Sequence, residues 1–380
     1  MACLPFYPDI IDDAATETPP TTFLSFCNAG MIDLRTDFIS RPTPPMIEAM
    51  TRAAQAAPGF GLRDDPIVAA LERRAAEMLG KEDALFCATC SAANQIAINV
   101  QTNPADRVAA EATSHVITSE GGAPGALSGV MMHGISGERG KMPMDALTTV
   151  LDTGDGLQGR TRLVVIENTH VRTGGTVLSL DYMSRVRKEA MARNIRVHLD
   201  GSRLFNAAAA LGVNAKTLTA LADTVAVSMN KGLGAPLGAI LAGSRETIEK
   251  AVVARHRFGG SWRPANIPAA AALVALATMV ERIGEDHATA HELASGLAAI
   301  DGLTIDPAQV QTNIVLVDLG ERLGTSEQFA ARLAEGGVLA LPFGPRRLRL
   351  VTWHGITSRD VERAIDVFLQ ATKAGIRRSA

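Results

Sequence analysis

Residues 195–203 read IRVHLDGSR, and residues 224–234 read TVAVSMNKGLG. In each segment an apolar run typical of a β-strand ends and a polar group follows, Asp200 in the first and Lys231 in the second. In an open sheet of parallel strands, ligands bind at the edge where the strands end. The two segments therefore predict a sheet whose edge carries an acid beside a lysine.

An acid and a lysine at neighbouring strand ends suit the chemistry of pyridoxal phosphate (PLP). A lysine amine can form a Schiff base with the PLP aldehyde, and a carboxylate can pair with the protonated pyridine nitrogen. Taken singly, Asp200 would be interpreted as a helix cap and Lys231 as a solvated charge. Because each follows a strand and they occur in this order, we expect Lys231 to carry PLP and Asp200 to hold its ring nitrogen.

Short apolar runs alternate with helical stretches through most of the chain. One helix is predicted to begin at Asp65 and Pro66, an N-cap and a first-turn proline, and to end at Gly80. The alternation predicts an α/β fold, a mostly parallel sheet flanked by helices. The predicted strands are residues 84–87, 107–110, 163–166, 195–199, 224–228 and 239–242.

The chain is long enough to form two hydrophobic cores, with 380 residues of which 47% are hydrophobic. Residues 1–30 show no sustained periodicity and are interpreted as an N-terminal extension. Residues 31–284 are predicted to form a large PLP-binding α/β domain. The pattern then changes to strands and helices in close succession, and residues 285–380 are expected to form a small C-terminal α+β domain.

Composition narrows the possible partners and locations. Lys and Arg total 37 against 40 Asp and Glu, a formal net charge of -3, so nucleic acid is not expected as a partner. No run reaches the roughly 18 apolar residues of a membrane span, and the N-terminus lacks a secretory pattern. The 4 cysteines suggest neither a disulfide framework nor a zinc site, so no metal is predicted and a cytoplasmic location is expected.

A phosphate site is expected where the strand at residues 84–87 gives way to a helix. Thr89, Cys90 and Ser91 stand at that helix start, where free backbone N–H groups and the helix dipole favour an anion. Ser228, shortly before Lys231, can approach from a neighbouring loop. The alternative is an ordinary Ser/Thr helix cap, and this segment alone leaves both interpretations open.

Histidines and arginines supply the remaining candidates. His115 and His170 each follow a predicted strand, and either could stack on a cofactor ring or transfer a proton near neutral pH, although a single histidine is often structural. Arg203, Arg263 and Arg349 are candidates for holding a substrate carboxylate, because a guanidinium fork matches its two oxygens. Together with PLP, these groups suit a small α-amino acid as substrate.

Several segments resemble the threonine aldolases of the aromatic amino acid β-eliminating lyase family, which are PLP enzymes of fold type I. They are DLRTD at 33–37, RPT at 41–43, ENTH at 167–170, HLDGSRLFN at 198–206 and KGLGAP at 231–236. The resemblance runs from about residue 31 to the C-terminus, and the last two segments are specific. The phosphate loop departs from the family's usual SGT, because Thr89, Cys90 and Ser91 stand there.

The resemblance implies how PLP is held. Lys231 forms the Schiff base, Asp200 binds the pyridine nitrogen, and His115 stacks over the ring. The resemblance also implies a homodimer or homotetramer, in which neighbouring subunits share active-site residues across an interface.

The resemblance further implies how a substrate is bound and cleaved. Arg203 and Arg349 bind the α-carboxylate with help from Thr36, and His170 lies near the β-hydroxyl. The expected reaction is cleavage of the Cα–Cβ bond of a β-hydroxy-α-amino acid, of the threonine or allo-threonine type, to glycine and an aldehyde. The base that removes the β-hydroxyl proton is His170, His115 or a bound water.

Two other PLP reactions, a non-catalytic PLP-binding protein and one other class of enzyme stay open as alternatives. PLP also supports β-elimination or racemisation of a small amino acid. A dinucleotide-dependent oxidoreductase would use residues 232–238 as a nucleotide loop. However, Pro236 and the apolar residues 239–242 predict a strand there, and a dinucleotide loop needs a helix.

Overall fold

The structure is a computed structural model that describes residues 30–154 and 159–378. Apart from Gly30, the predicted N-terminal extension lies outside the described residues. The strands are β1 (Ile32–Asp33), β2 (Asp83–Cys87), β3 (Arg107–Glu111), β4 (Met131–Ile135), β5 (Thr161–Glu167), β6 (Arg196–Asp200), β7 (Thr224–Ser228), β8 (Ala239–Gly243), β9 (Leu303–Thr304), β10 (Ile314–Leu319), β11 (Val338–Leu339), β12 (Leu341–Gly344) and β13 (Arg347–Val351).

The helices connect these strands and cover the sheets. They are α1 (Pro44–Gln55), α2 (Pro66–Leu79), α3 (Cys90–Gln101), α4 (His115–Thr118), α5 (Ala123–Ser128), α6 (Met144–Asp152), α7 (Leu180–Met191), α8 (Leu204–Leu211), α9 (Ala215–Thr219), α10 (Arg245–Arg257), α11 (Asn266–Thr278), α12 (Ile283–Ala298), α13 (Ser326–Glu335) and α14 (Ser358–Arg378). Short 3-10 helices span Asp37–Ile39, Val171–Thr173, Pro307–Gln309 and Glu321–Leu323.

The main sheet has seven strands in the order β2-β8-β7-β6-β5-β3-β4. Strand β8 pairs antiparallel with β2 and β7, and the remaining pairings are parallel. The predicted mostly parallel sheet flanked by helices is thus confirmed. Strand β4 is not among the predicted strands; it is an edge strand whose apolar residues are interrupted by His133 and Gly134, and only Ile135 is buried.

Helix α2 begins and ends where the sequence predicts. The Asp65 carboxylate accepts hydrogen bonds from the backbone N–H groups of Ile67 and Val68 at 2.9 and 3.1 Å. Pro66 occupies the first turn, where its missing N–H costs no helical hydrogen bond. Gly80 ends the helix in the left-handed conformation, with φ of 61°. The helix then packs against β2 and α11.

A second sheet has the order β12-β13-β10-β9, with antiparallel pairings throughout. Helices α12, α13 and α14 pack with it around a second hydrophobic core. Ile32 and Leu34 also belong to this core, and β1 pairs in parallel with β11. The beginning of the described chain therefore packs with its C-terminal part. The division of the chain at residues 284 and 285 stays a prediction.

The lengths and hydropathies of the described helices bear on whether any of them could span a membrane. Within residues 30–154 and 159–378, no single helix is long and apolar enough to cross a membrane. Helices α11 and α12 meet the criterion only when they are taken together, and they are bent by 75° at their junction. The alanines of α11 are largely buried in the main core.

Strands β5, β6 and β7 end side by side at one edge of the main sheet. Glu167 at the end of β5 pairs in register with Asp200 at the end of β6, and Asp200 pairs with Ala226 in β7. Strand β2 runs in the same direction as β7, because both are antiparallel to β8. Helix α3 follows β2 and therefore starts at this edge. Polar residues that follow these strands are thereby brought together.

Candidate active site

A cavity of about 470 Å³ opens at this edge, where the main sheet meets the second sheet. Most residues predicted for the site line it: Thr89, Cys90, Ser91, His115, Arg203, Ser228, Lys231 and Arg349. The other lining residues come mainly from loops and from the second sheet: Phe38, Ser119, Glu167, Thr169, Val171, Arg172, Ser202, Asn230, Leu341 and Phe343.

Lys231 lies on the turn between β7 and β8. Its carbonyl accepts hydrogen bonds from the N–H of Gly234 at 2.8 Å and from the Ser40 hydroxyl at 3.2 Å. Gly234 has a φ of 73°, and a Cβ at this position would lie 2.9 Å from the ring of His354. This turn therefore requires glycine, and it holds the Lys231 side chain at the cavity.

Asp200 does not line the cavity itself but is hydrogen-bonded to Ser202, which does. The Ser202 backbone N–H and hydroxyl donate to Oδ1 at 3.1 and 3.0 Å, and Asn94 Nδ2 donates to Oδ2 at 2.9 Å. Burial acts to raise the pKa of Asp200, but the charges of His115 and Lys231 outweigh it and lower the pKa. Asp200 is therefore an ionised carboxylate that can pair with a cationic ring nitrogen.

His115 is the first residue of the short helix α4, and its ring lines the cavity. Its Nδ1 lies 2.8 Å from Oε1 of Glu120, and its backbone N–H donates to Oε2 of Glu167 at 2.7 Å. The hydrogen bond to Glu120 raises the pKa of His115 against the opposing effect of burial, and the charge of Asp200 adds to the rise. Glu120 thus favours the tautomer with the proton on Nδ1, which leaves Nε2 as the acceptor.

The His115, Glu120 and Asp200 cluster has the composition of a metal site. One potential ligand atom from each residue lies within 4.8 Å of the others. The hydrogen bonds of His115 to Glu120 and of Asn94 to Asp200 already account for this arrangement. The absence of a metal stays a prediction.

The start of helix α3 has features of both an ordinary helix cap and the predicted phosphate site. Thr89 is an ordinary cap, since its hydroxyl accepts a hydrogen bond from Ala92 N–H at 3.0 Å, and it also lines the cavity. Cys90 stands where the family usually has glycine, and its sulfur lies 3.4 Å from the Ser202 hydroxyl oxygen. Burial raises the pKa of the Cys90 thiol to about 12, so the thiol is neutral. Cys90 therefore adds no negative charge that would oppose an anion at the helix N–H groups next to Ser91.

Arg203 lines the cavity, but its guanidinium is already paired. Its Nε and Nη2 donate to the two carboxylate oxygens of Asp37 at 2.7 and 2.6 Å, and both side chains are almost fully buried. Asp37 thus already uses two of the three guanidinium nitrogens of Arg203. The predicted contact between Arg203 and a substrate carboxylate stays a prediction.

Arg349 is the better candidate for a carboxylate contact. Its Nη2 donates to the carbonyl of Arg35 at 3.3 Å, while its buried Nε has no hydrogen-bond partner among the described residues. The guanidinium carbon lies 5.1 Å from the centre of the Phe343 ring. Burial lowers the pKa of Arg349 to about 10, so the side chain is still charged at neutral pH. A buried, charged and incompletely paired guanidinium favours an anionic ligand.

His170 does not line the cavity, which argues against the predicted contact with the substrate. Its ring is fully buried, with Nε2 3.1 Å from Oε2 of Glu111 and Nδ1 3.1 Å from the Thr173 hydroxyl. Its Nε2 also lies 3.9 Å from Oε2 of Glu167, which does line the cavity. The strand end thus presents Glu167 to the cavity and places His170 behind it.

Thr36 and Arg263 also lie outside the cavity lining. The Thr36 hydroxyl accepts a long hydrogen bond of 3.5 Å from Phe38 N–H and so caps a 3-10 turn, which leaves Phe38 as the lining residue. The Arg263 guanidinium lies 5.6 Å from the centre of the exposed Phe60 ring, beside a different, smaller cavity. Neither position supports the predicted carboxylate contact within one chain.

Sequence reasoning missed several residues of the site. The spacing of Glu120, five positions after His115, could have indicated it, because a short helix can bring the acid close to the histidine. Asp37 lies in one of the family-like segments, but no local pattern pairs it with Arg203. Arg172 and Phe343 come from loops and from the second sheet, and no sequence spacing could have placed them here.

The residues of the cavity fit PLP. Lys231 offers an amine, buried Asp200 stays ionised, and helix α3 offers N–H groups to a phosphate. A dinucleotide fits poorly, because the residues after the turn at 232–238 form strand β8 and no helix begins there. This observation removes the oxidoreductase alternative.

Comparisons with known proteins give the same result. Residues 33–320 match the model of the beta-eliminating lyase family. The chain is 37% identical over 346 residues to low-specificity L-threonine aldolase 1 of Arabidopsis thaliana, covering 90% of this chain and 96% of that protein. It is 35% identical over 292 residues to the low specificity L-threonine aldolase of Escherichia coli K12, covering 77% and 85%.

Among solved structures, the threonine aldolase of Leishmania major has a TM-score of 0.78 and 19% identity, covering 89% of this chain and 99% of that one. At this identity the likeness concerns the fold, and it confirms the predicted fold type I. The family match also confirms PLP as the cofactor. The chain belongs to the beta-eliminating lyase family, matches the threonine aldolases over most of its length, and is a PLP-dependent lyase.

Proposed function

We propose that this protein cleaves the Cα–Cβ bond of β-hydroxy-α-amino acids, of the threonine or allo-threonine type, to glycine and an aldehyde. The observation that carries the proposal is one cavity lined by Lys231 and by the incompletely paired Arg349, with ionised Asp200 bonded to its lining. The names of the Arabidopsis and Escherichia coli relatives support the same reaction.

The residues that hold PLP follow from the same cavity. Lys231 bonds covalently to the cofactor, Asp200 pairs with its ring nitrogen, and His115 contacts its ring. The start of helix α3 and the Ser91 hydroxyl would hold the phosphate, together with Ser228 at the same cavity, whose hydroxyl donates to Oδ1 of Asn230 at 2.7 Å. When bound, PLP supplies an electron sink for the pair released from the Cα–Cβ bond.

Substrate binding depends on Arg349. Its guanidinium pairs with the α-carboxylate, because its Nε is buried and has no other partner among the described residues. Arg203 keeps its bond to Asp37 and supports the wall of the cavity. A carboxylate fixed in this way orients the Cα–Cβ bond for cleavage.

His115 is the base that we assign to the β-hydroxyl proton. Glu120 accepts a hydrogen bond from Nδ1–H, so the neutral ring offers Nε2 as acceptor. His170 stays behind Glu167, where it is bonded to Glu111 and helps to hold the strand end. His115 must be deprotonated to act, and its raised pKa moves the acid limb of the activity profile to higher pH.

Separate assays of the products test this function. Purified protein with PLP is given L-threonine or L-allo-threonine, and acetaldehyde, ammonia and loss of optical activity are measured in parallel. Acetaldehyde with stoichiometric glycine supports aldol cleavage, whereas ammonia indicates β-elimination and optical inversion indicates racemisation. The proposal fails if PLP binds through Lys231 and yet no aldehyde forms from any β-hydroxy amino acid.

We also propose a homodimer or homotetramer in the cytoplasm. Phe60 is 88% exposed and Phe38, at the cavity, is 57% exposed, and two such aromatic side chains support an interface between subunits. Cys87 and Cys90 are unpaired and buried, which suits a reducing compartment. Light scattering of the purified protein measures the oligomeric state, and fractionation of the source cells tests the compartment.

A further inference from the structure

Arg172 is a further guanidinium at the cavity, and the proposed function gives it no role. It lies in the 3-10 turn Val171–Thr173, which follows β5 and is held by a hydrogen bond of 2.8 Å from Val171 N–H to Oε1 of Glu167. Its side chain lines the cavity and is exposed to solvent on its other side. Within residues 30–154 and 159–378, no carboxylate forms an ion pair with it.

Arg172 and Arg349 contact the same aromatic ring. Their guanidinium carbons lie 5.2 and 5.1 Å from the centre of the Phe343 ring. The two cations therefore lie no more than about 10 Å apart. The contact with Phe343 also restricts the Arg172 side chain, which reduces the entropy lost when it binds a ligand. A ligand with two anionic ends can reach both cations.

The charges of the cavity lining leave Arg172 without a counter-ion. Its cationic residues are Arg172, Arg203, Arg349 and Lys231, against the single carboxylate of Glu167. Arg203 is neutralised by Asp37, and under the proposed function Lys231 is bonded to PLP. The α-carboxylate of a substrate pairs with Arg349. Arg172 and Glu167 then remain, and since no ion pair joins these two among the described residues, Arg172 can still attract a further anion.

We propose that Arg172 binds a second carboxylate on the side chain of the substrate, so that the preferred substrates are β-hydroxy-α-amino diacids such as β-hydroxyaspartate. This inference rests on the proposed aldol cleavage and names its substrate class. For β-hydroxyaspartate the Cα–Cβ bond breaks, and the β-hydroxyl loses its proton and becomes the aldehyde of glyoxylate. The electron pair of the broken bond takes up a proton at Cα, and the other product is glycine.

The competing explanation is that Arg172 is a solvated surface charge that plays no part in binding. Ion pairs with an exposed guanidinium contribute little in open solvent, whereas a charge-assisted contact inside a cavity contributes more. The two explanations differ in the selectivity they predict. A solvated arginine affects mono- and dicarboxylic substrates alike, whereas a binding residue affects only the dicarboxylic ones.

The first test measures the ratio of kcat/KM for β-hydroxyaspartate to that for L-threonine. We expect wild-type holoenzyme to prefer the diacid, and Arg172→Ala to lower the ratio by about tenfold or more. Arg172→Lys should restore part of the preference, because it keeps the charge. Arg139→Ala is the matched control, since Arg139 borders the neighbouring cavity with Arg172 but does not line the active-site cavity. A ratio that Arg172→Ala leaves within about twofold overturns the proposal.

A binding measurement separates failure of this inference from failure of the proposed function. Calorimetry of the holoenzyme with L-aspartate and L-alanine compares ligands that differ by the second carboxylate and that cannot undergo aldol cleavage. We expect tighter binding of aspartate in the wild type, and loss of this preference in Arg172→Ala. If neither acetaldehyde nor glyoxylate forms, the proposed function fails. If aldehydes form but aspartate shows no Arg172-dependent preference, only the diacid assignment fails.

Discussion

Replacing Asp37 with Asn removes the negative half of a buried ion pair and leaves Arg203 without a counter-charge. The two side chains are 0% and 5% exposed, and the two N–O distances are 2.7 and 2.6 Å. Removing one partner of such a pair costs about 3–5 kcal/mol, because the remaining charge stays away from water. We expect the Asp37→Asn protein to lose about this much free energy of unfolding at neutral pH.

The pair between Arg347 and Asp318 is a matched control at the surface. It has the same bidentate geometry, with N–O distances of 2.6 and 2.7 Å, but its side chains are 45% and 46% exposed. An exposed pair contributes about 0–1 kcal/mol, so Asp318→Asn should have little effect. Urea unfolding of both variants, followed by circular dichroism, measures the difference. Losses that agree within about 1 kcal/mol would refute the reasoning that burial sets the cost.

The stabilisation by the Asp37–Arg203 ion pair should also depend on pH. Burial acts to raise the pKa of Asp37, but the Arg203 charge outweighs it and holds the pKa below its ordinary value of 3.8. Because the folded pKa is depressed, the stabilisation is complete above pH values near 3.8 and disappears as pH falls through the folded pKa. The difference in stability between wild type and Asp37→Asn should therefore shrink in acid.

Three further substitutions test the site. Lys231→Ala should abolish the visible absorbance band of covalently bound PLP, and a visible band that persists in this variant and is bleached by borohydride would contradict the assignment. Glu120→Gln should move the acid limb of the pH profile of kcat/KM to lower pH, because it removes the hydrogen bond that raises the pKa of His115; an unmoved limb would exclude His115 as the base. Arg349→Gln should raise KM by about tenfold to a hundredfold with a smaller change in kcat, measured by steady-state kinetics, and an unchanged KM would remove Arg349 from carboxylate binding.

The parts of the fold that sequence predicts are those set by neighbouring residues. Apolar runs identify the buried strands, and Asp65 and Gly80 mark the ends of helix α2. Lys231 and Asp200 stand out because each follows such a run. Strand β4 escapes prediction because an edge strand needs no continuous apolar run.

The parts that sequence does not predict depend on contacts between distant segments. Arg203 is separated from Asp37 by 166 positions, and only the packing of the second core brings Asp37 close enough to occupy its guanidinium. His170 was predicted to face a substrate, but the turn after β5 presents Glu167 instead. A motif identifies which residues reach the edge of a sheet, whereas their rotamers and partners depend on the surrounding elements.

Helix α3 carries two of the groups that the proposed function assigns to cofactor binding, its first turn and Asn94. Under the proposed function its first turn would hold the phosphate, and one turn further along Asn94 is bonded to Asp200, which would hold the ring nitrogen. A shift of helix α3 would move both groups together. Substitutions in this helix are therefore expected to weaken coenzyme binding before they affect other properties. Arg172 and Phe343 are carried by other segments. Substitutions at Arg172 and Phe343 can therefore change the substrate preference without weakening coenzyme binding.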